Sequence, residues 1–104
     1  MIIYNTTFHI DKSVLDEAVD FLKLVYLPQA SASGFLTNPL LRKILHETED
    51  EGVNFSIQFH VKNIDTLNYW MENEGRALHQ KLVTQFGNKV AGFSTLLEEI
   101  DWQK

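Results

Sequence analysis

VNFSIQFHVK, residues 53–62, alternates strictly between apolar and polar side chains. Because successive side chains of a β-strand point to opposite faces of a sheet, this pattern predicts a strand with one buried face. The opening segment IIYNTTFHI, residues 2–10, alternates in the same way and predicts a second strand. In that strand, Tyr4 and Phe8 are expected to face the protein core.

Two helices are predicted from capping residues and apolar periodicity. The first begins at Ser13, whose hydroxyl group suits an N-cap, and ends near Gly34. Pro28 lies within this helix and lacks an amide hydrogen, so we expect the helix to kink or restart there. The second helix is expected over residues 65–86 and should end at Gly87.

Two further strands complete the pattern, at residues 40–47 and 89–100, with a hairpin loop at residues 48–52. The order strand, helix, strand, strand, helix, strand predicts a ferredoxin-like βαββαβ sandwich of the α+β class. Two helices would cover one face of a four-stranded antiparallel sheet. We expect the first and third strands to be parallel neighbours at its centre.

The composition is that of one ordinary globular domain spanning residues 1–104. Nine Lys and Arg residues against fourteen Asp and Glu residues give a net charge of −5, which argues against nucleic acid or a membrane as the main partner. The absence of cysteine excludes disulfides, thiolate metal sites and a cysteine nucleophile. No secretion signal and no apolar run of about 18 residues is visible, so we expect a cytoplasmic protein.

The sheet face that the helices leave uncovered is expected to be polar with few charges. Its members on the two alternating strands are Asn5, Thr7, His9, Asn54, Ser56, Gln58 and His60. A face that meets only water usually carries more Lys and Glu. On the first helix, Leu24 and Leu27 fall outside the apolar stripe and should also be exposed. Both features predict a homodimer in which two sheets meet face to face. The expected interface residues are Asn5, Thr7, His9, Leu24, Leu27, Gln58 and His60.

Three segments of the chain resemble a known family. They are MIIYNTTFHI (residues 1–10), YLPQASASGFLTNPLLRKIL (residues 26–45) and FGNKVAGFSTLLEEI (residues 86–100). Together they resemble a bacterial domain-of-unknown-function family of short proteins in the dimeric α/β-barrel group, whose best-known members are antibiotic-biosynthesis-type monooxygenases. The resemblance covers nearly all of residues 1–100 and implies the ferredoxin-like fold and the dimer. It implies no activity, because the family has no assigned catalytic residues.

The wider group includes haem-degrading monooxygenases that use an Asn on the first strand, with a Trp and a His on the second helix. Asn5, Trp70 and His79 are superficially similar to that set. However, Trp70 and His79 are nine residues apart, about 900° of an ideal helix, which directs them to opposite sides. Asn5 lies on the strand face away from the helices. We therefore expect no such site and interpret Trp70 as a core aromatic residue.

Two histidines are expected to lie side by side. His9 is near the end of the first strand and His60 near the end of the third, on the same polar face. If these strands are parallel neighbours, the two imidazoles meet in the dimer interface, where protonation of both is unfavourable. His46, near the hairpin, would lie at the other end of the sheet. Two histidines fall short of the three or four ligands of a zinc site, so no metal site is predicted.

Glu74 is the most unusual residue of the second helix. It falls at the centre of the apolar stripe, whose members are Leu67, Trp70, Met71, Leu78 and Leu82. If its carboxyl group points towards the sheet, Glu74 could act as a general acid or base in a pocket between helix and sheet. Alternatively, Gly75 bends the helix and turns Glu74 outwards, or Lys81 neutralises it.

The residues expected to line a ligand pocket are Tyr4, Tyr69, Trp70 and Glu74. The first functional hypothesis is a homodimer that binds a small ligand or a protein partner without catalysis and without a cofactor. The alternative is a cofactor-free oxygenase or isomerase that acts on a small aromatic or polyketide-like compound, with Glu74 as the best catalytic candidate. An enzyme would need a pocket with convergent polar groups under the helices, whereas a pure interaction protein would have a filled core.

Overall fold

Four strands form one antiparallel sheet in the order β2-β3-β1-β4 in a computed structural model, which describes residues 1–45 and 52–103. The strands are β1 (Ile2–Asp11), β2 (Leu36–Ile44), β3 (Gly52–Val61) and β4 (Val90–Glu98). A first helix follows β1 and a second follows β3, and both pack on the same sheet face. This arrangement confirms the ferredoxin-like α+β fold predicted from the alternating strands.

The two central strands, β1 and β3, are antiparallel, so the prediction of a parallel pair was wrong. The helical crossover makes β2 run in the direction of β1, and the connection from β2 to β3 then reverses the chain. Since β3 inserts between β1 and β2, it is antiparallel to both neighbours.

The antiparallel register separates the two histidines that were expected to meet. His60 lies opposite Ile3, whereas His9 lies opposite Asn54 near the other end of the strand pair. The His9 ring donates from Nδ1 to Asn54 Oδ1 at 2.6 Å. The predicted contact between His9 and His60 is therefore wrong within one chain, and His46 falls outside the described residues.

The first helix is capped two residues before the predicted position. Asp11, not Ser13, is the N-cap residue, because its Oδ1 accepts hydrogen bonds from the backbone N and the Oγ of Ser13 at 2.9 and 2.7 Å. These bonds lower the pKa of the Asp11 carboxyl group. A short 3₁₀ turn, Lys12–Val14, leads into the α-helical segment Leu15–Phe21.

The first helix then changes its form just before Pro28, where a kink or restart was predicted. It changes to a π-helical turn over Leu22–Tyr26, in which the N–H of Leu27 donates to the carbonyl of Leu22, five residues earlier. The α-helical segment Leu27–Ser31 follows directly. The wider turn precedes the proline ring, which in a regular helix presses on the carbonyl four residues before it. Gly34, with φ of +85°, ends the turn after the helix as predicted.

The second helix also contains a π-helical turn. Asn63 caps it by accepting a hydrogen bond from the backbone N of Thr66 at 2.8 Å, so the helix begins one residue before the predicted Asp65. Its segments are Ile64–Trp70 (α), Met71–Gly75 (π) and Arg76–Phe86 (α). Gly87 ends it with φ of +57°, as the sequence predicted.

Strand β2 forms one edge of the sheet and starts four residues before its predicted position. Its register against β3 shifts between Thr37 and Leu40, so that Asn38 and Pro39 form a bulge. Asn38 has φ of +53°, a left-handed conformation that Asn tolerates better than most residues. Among the described residues, neither helix has the length and apolar character needed to cross a membrane.

Candidate ligand-binding cavity

A cavity of about 500 Å³ lies between the second helix and the β1–β4 half of the sheet. Strands β1 and β4 form its floor, the second helix forms its roof, and Tyr26 closes one side from the first helix. The size falls within the range of about 300–1,000 Å³ that small-molecule sites occupy. The space between helices and sheet is therefore not completely filled by core side chains.

Four hydroxyl groups converge on the floor of this cavity and are called the hydroxyl cluster here: those of Tyr4, Thr6, Tyr26 and Ser94. Thr6 lies opposite Ser94 in the strand register, and their oxygens are 3.1 Å apart. Ser94 Oγ donates to the Tyr4 hydroxyl at 3.5 Å, and Thr6 is also hydrogen-bonded to Tyr26. Such a network holds both donors and acceptors at fixed positions.

Tyr26 is the most deeply placed titratable group of the cluster. Burial raises the pKa of its hydroxyl well above the ordinary value of 10.0, the neighbouring Tyr4 raises it further, and the hydrogen bond with Thr6 lowers it in part. The phenol therefore stays protonated at neutral pH. It presents a neutral O–H group in an apolar setting, where hydrogen bonds are stronger than in water.

The cavity walls are aromatic. The rings of Tyr4 and Trp70 meet edge to face with centroids 6.0 Å apart, and those of Phe8 and Tyr26 do so at 5.5 Å. Trp70 is fixed because its Nε1 donates to the carbonyl of Ala30 at 3.0 Å. These rigid rings suit contact with a flat ligand, since aromatic groups prefer stacked or edge-to-face arrangements.

At two positions of the cavity wall, an aromatic ring lies so close to the backbone that only glycine fits. A Cβ atom at Gly92 would lie 2.8 Å from Cδ1 of Phe8, its partner on β1. A Cβ atom at Gly75 would lie 2.6 Å from Cζ3 of Trp70. Both distances are too short for a real contact, so each ring occupies the place that a larger residue would need.

The π-helical turn of the second helix brings Trp70 and His79 to the same cavity, against the sequence prediction. The N–H of Arg76 donates to the carbonyl of Met71, five residues earlier, so the turn takes up one extra residue. Nine residues then rotate as eight would, about 800° instead of 900°, and the two side chains end about 80° apart. Asn5 remains on the opposite sheet face, as predicted, and does not line the cavity.

Three charged or polar side chains of the second helix line the cavity and are exposed to solvent, and they define its mouth. They are Glu72, Arg76 and His79. Arg76 follows Glu72 by one turn and precedes His79 by one turn, so all three lie on the same side of the helix. Arg76 is absent from the pocket predicted from the sequence, because an ideal helix does not place it beside Trp70.

Two of the four predicted pocket residues, Tyr4 and Trp70, line the cavity. Tyr69 lies outside it and packs edge to face on Phe35, with centroids 5.3 Å apart. Glu74 is half-buried and does not line the cavity. Lys81, its predicted ionic partner, instead donates from Nζ to Gln29 Oε1 at 2.9 Å. The expectation that Glu74 points into a pocket was therefore wrong, because the π turn that contains it shifts the helix phase.

The predicted interface residues are divided between two places. Asn5, Thr7, His9, Gln58 and His60 lie on the uncovered sheet face as predicted. Leu24 is 73 % exposed, but Leu27 is half-buried against the core, so its predicted exposure was wrong. Phe93 is absent from the predicted interface, although it is 66 % exposed on β4 and shares the uncovered face with Thr7, its partner in the register. The alternation of β4 would have identified it.

The polar residues of the uncovered face bond to one another. Ser56 Oγ donates to Asn5 Oδ1 at 2.5 Å, and Asn5 Nδ2 donates to Thr7 Oγ1 at 3.3 Å. Arg42 Nη1 donates to Gln58 Oε1 at 3.2 Å. Among residues 1–45 and 52–103, no group of three or more His, Cys, Asp or Glu side chains is placed to hold a metal ion.

Comparison with known proteins shows both a family and a fold. The family model described as Domain of unknown function (DUF4286) matches residues 1–100. No curated protein is similar enough in sequence to count as a relative. Solved structures are similar in fold alone, because their sequences are far below 25 % identical.

Three of these structures illustrate the fold. One, described as a "putative antibiotic biosynthesis monooxygenase" from Deinococcus radiodurans, has a TM-score of 0.71 at 16 % identity and covers 100 % of this chain and 97 % of its own. An ethyl tert-butyl ether d (ethd) family protein from Bacillus halodurans C-125 has a TM-score of 0.70 at 14 % identity, covering 96 % and 100 %. A dimeric ferredoxin-like protein from an uncultured marine organism has a TM-score of 0.58 at 13 % identity, covering 95 % and 97 %.

Proposed function

This chain belongs to the family described as Domain of unknown function (DUF4286), and from its cavity we propose that the protein is a homodimer that binds a small organic molecule without catalysis. The observation that carries this proposal is the hydroxyl cluster at the floor of a cavity with aromatic walls. A protein that only docked another protein through its surface would gain nothing from unfilled space between helix and sheet. We keep the expectation of a bacterial cytoplasmic protein.

The chemistry of the walls selects the ligand. Trp70 and Phe8 offer ring surfaces to a flat apolar body, whereas the hydroxyl cluster offers hydrogen bonds to an oxygen atom. A ligand without an oxygen would leave those hydroxyl groups bonded only to one another and would lose the hydrogen bonds they made with water. A small aromatic compound with a hydroxyl or carbonyl group therefore fits best.

The homodimer forms, in this proposal, between two uncovered sheet faces. The polar residues there are already bonded to one another, and Phe93 adds an exposed apolar ring beside them. A similar fold occurs in a protein described as dimeric. An interface of about 1,500 Å² would cover both faces and leave the cavity on the helix side of each sheet.

Catalysis is the second candidate, and His79 favours it. An imidazole at the cavity mouth is the side chain most often used as a general base near neutral pH. A cofactor-free oxygenase or isomerase acting on a small aromatic or polyketide-like compound would use it to remove a proton from the bound phenol or enol. Turnover of such a compound that disappears in His79→Gln, with binding retained, would establish this second function.

The binding proposal is tested with a simple aromatic alcohol and two matched variants. Met71 and Val83 are both 43 % exposed on the second helix, but only Met71 lines the cavity. We expect 2-naphthol to bind the wild-type protein in isothermal titration calorimetry and Val83→Trp within about twofold of it. Met71→Trp, which fills the cavity, should weaken binding by at least about tenfold.

Two results would contradict the proposal. Equal affinity of both tryptophan variants would place the binding outside the cavity, and no heat of binding at millimolar 2-naphthol would remove the small-molecule function. A circular dichroism spectrum of each variant controls for folding.

A further inference from the structure

The charges at the cavity mouth differ from those of the rest of the chain. The protein carries a net charge of −5 with histidines counted as neutral, whereas at the exposed second-helix side of the cavity the charges of Arg76 and Glu72 balance and His79 adds an imidazole. Arg76 and His79 are one helical turn apart, follow the π turn and line the cavity. The third side chain, Glu72, lies within that turn and opposes them with one carboxylate.

The floor of the cavity cannot hold a charged group as easily as the mouth. Its polar atoms are neutral hydroxyl groups, of which Tyr26 is deeply buried among aromatic rings. An ionised group placed there would lose its hydration without gaining an opposite charge. Any charge on the ligand is therefore expected at the exposed end, beside Arg76 and His79.

Arg76 is suited to a planar oxyanion. Its guanidinium group presents N–H donors in a fixed fork that matches the two oxygens of a carboxylate, and His79 can add one imidazole N–H from the next turn. Because both side chains reach solvent, a ligand anion at this position keeps part of its hydration. The ring of the same ligand can then extend into the aromatic part of the cavity.

We infer that the ligand is an aromatic organic acid, with its ring in the aromatic part of the cavity and its carboxylate held at the mouth by Arg76 and His79. This inference rests on the proposed binding function and adds the charge of the ligand to it. It also assigns Arg76 as the residue that determines specificity, since among the described residues that line the cavity it alone carries a permanent positive charge.

The test compares three probes that share a naphthol ring and differ in charge: 6-hydroxy-2-naphthoate, 2-naphthol and 6-(aminomethyl)-2-naphthol. Titration calorimetry at pH 7.5 in low salt should show the naphthoate binding at least about tenfold more tightly than 2-naphthol and the amine more weakly than both. Arg76→Gln should weaken binding of the naphthoate by about tenfold and leave 2-naphthol within about twofold. Lys81→Gln makes the same change of charge on the same helix outside the cavity and should alter neither affinity.

The possible contrary results distinguish failure of the aromatic acid as ligand from failure of the binding function. Equal affinities of naphthoate and naphthol, unchanged by Arg76→Gln, would overturn the acid and leave the binding function intact. A preference for the amine that is lost in Glu72→Gln would also overturn it and assign a cationic ligand. Failure of all three probes to bind would overturn both the inference and the proposed function. Naphthoate binding that persists in Met71→Trp would overturn the inference by placing the anion elsewhere.

Discussion

Gly75→Ala is the substitution that tests the geometry of the π turn most directly. Gly75 is the last residue of the turn, and a Cβ atom there would lie 2.6 Å from Cζ3 and 3.0 Å from Cε3 of Trp70. Movement of the Trp70 ring is restricted, since the ring is 2 % exposed and its Nε1 is bonded to the carbonyl of Ala30. Adding one methyl group therefore forces the ring or the helix to move.

Two opposing effects set the size of the change. In an ordinary helix interior, replacing Gly with Ala raises the free energy of unfolding by about 1 kcal/mol. Overpacking a filled site lowers it by about 1–3 kcal/mol. We expect the second effect to be larger, so that Gly75→Ala lowers the free energy of unfolding by about 1 kcal/mol, opposite in sign to the propensity effect.

The assay is urea unfolding followed by circular dichroism at 222 nm, which does not depend on tryptophan. Ala77→Gly, at an exposed position of the same helix, calibrates the propensity effect alone. In the Trp70→Phe background the ring atoms that the new methyl group would meet are gone, so Gly75→Ala should become neutral or stabilising. A gain of about 1 kcal/mol from Gly75→Ala in the wild-type background would refute the reasoning.

Three further predictions concern other parts of the molecule. Phe93→Asp should convert the proposed dimer to a monomer in light scattering, because it places a charge on the uncovered sheet face. Val83→Asp, on the helix side, should leave the dimer intact, and a wild-type protein that is monomeric at micromolar concentration would contradict the proposed dimer. Because the pKa of Tyr26 is raised in the folded state, the unfolded chain releases its proton first above the ordinary pKa of 10.0. The stability contributed by the neutral phenol is therefore complete below pH 10, and above pH 10 the free energy of unfolding falls by up to about 1.4 kcal/mol per pH unit. Tyr26→Phe should reduce this alkaline loss of stability, and Tyr69→Phe should not. Identical dependence of stability on pH in the two variants would contradict the raised pKa of Tyr26. Glu74→Gln should change the free energy of unfolding by no more than about 0.5 kcal/mol, and a loss of 2 kcal/mol would show a partner that the geometry lacks.

The fold could be predicted from the sequence because a strand with one buried face alternates between apolar and polar side chains, with a period of two residues. Residues 53–62 and 2–10 showed that period and were placed correctly to within one residue. The relative direction of β1 and β3 was lost for a different reason. The chain reverses between β2 and β3, and because β2 runs in the direction of β1, this reversal makes β3 antiparallel to β1 as well.

The site was harder to predict because it depends on the phase of one helix. A period of 3.6 places Glu74 among the apolar residues and directs Trp70 and His79 apart. One extra residue in a π turn reverses both results, and no residue type signals that turn in a single sequence. Capping showed a similar limit, since Asp11 and Ser13 are both suitable N-caps and only their hydrogen bond decides between them.

The bulge of β2 bears on how copies of this chain can associate. Pro39 has no N–H to offer, and Asn38 turns the backbone out of the strand conformation, so this edge of the sheet cannot take on another strand in register. At the opposite edge, β4 runs from Val90 to Glu98 without a bulge in its pairing with β1. Among the strands that the structure describes, each copy thus has one edge open to growth, and two copies joined there by a twofold axis would present only blocked edges. Polymerisation strand by strand would end at that pair, and a chain in which Pro39 and the bulge were removed would lose this protection against fibres.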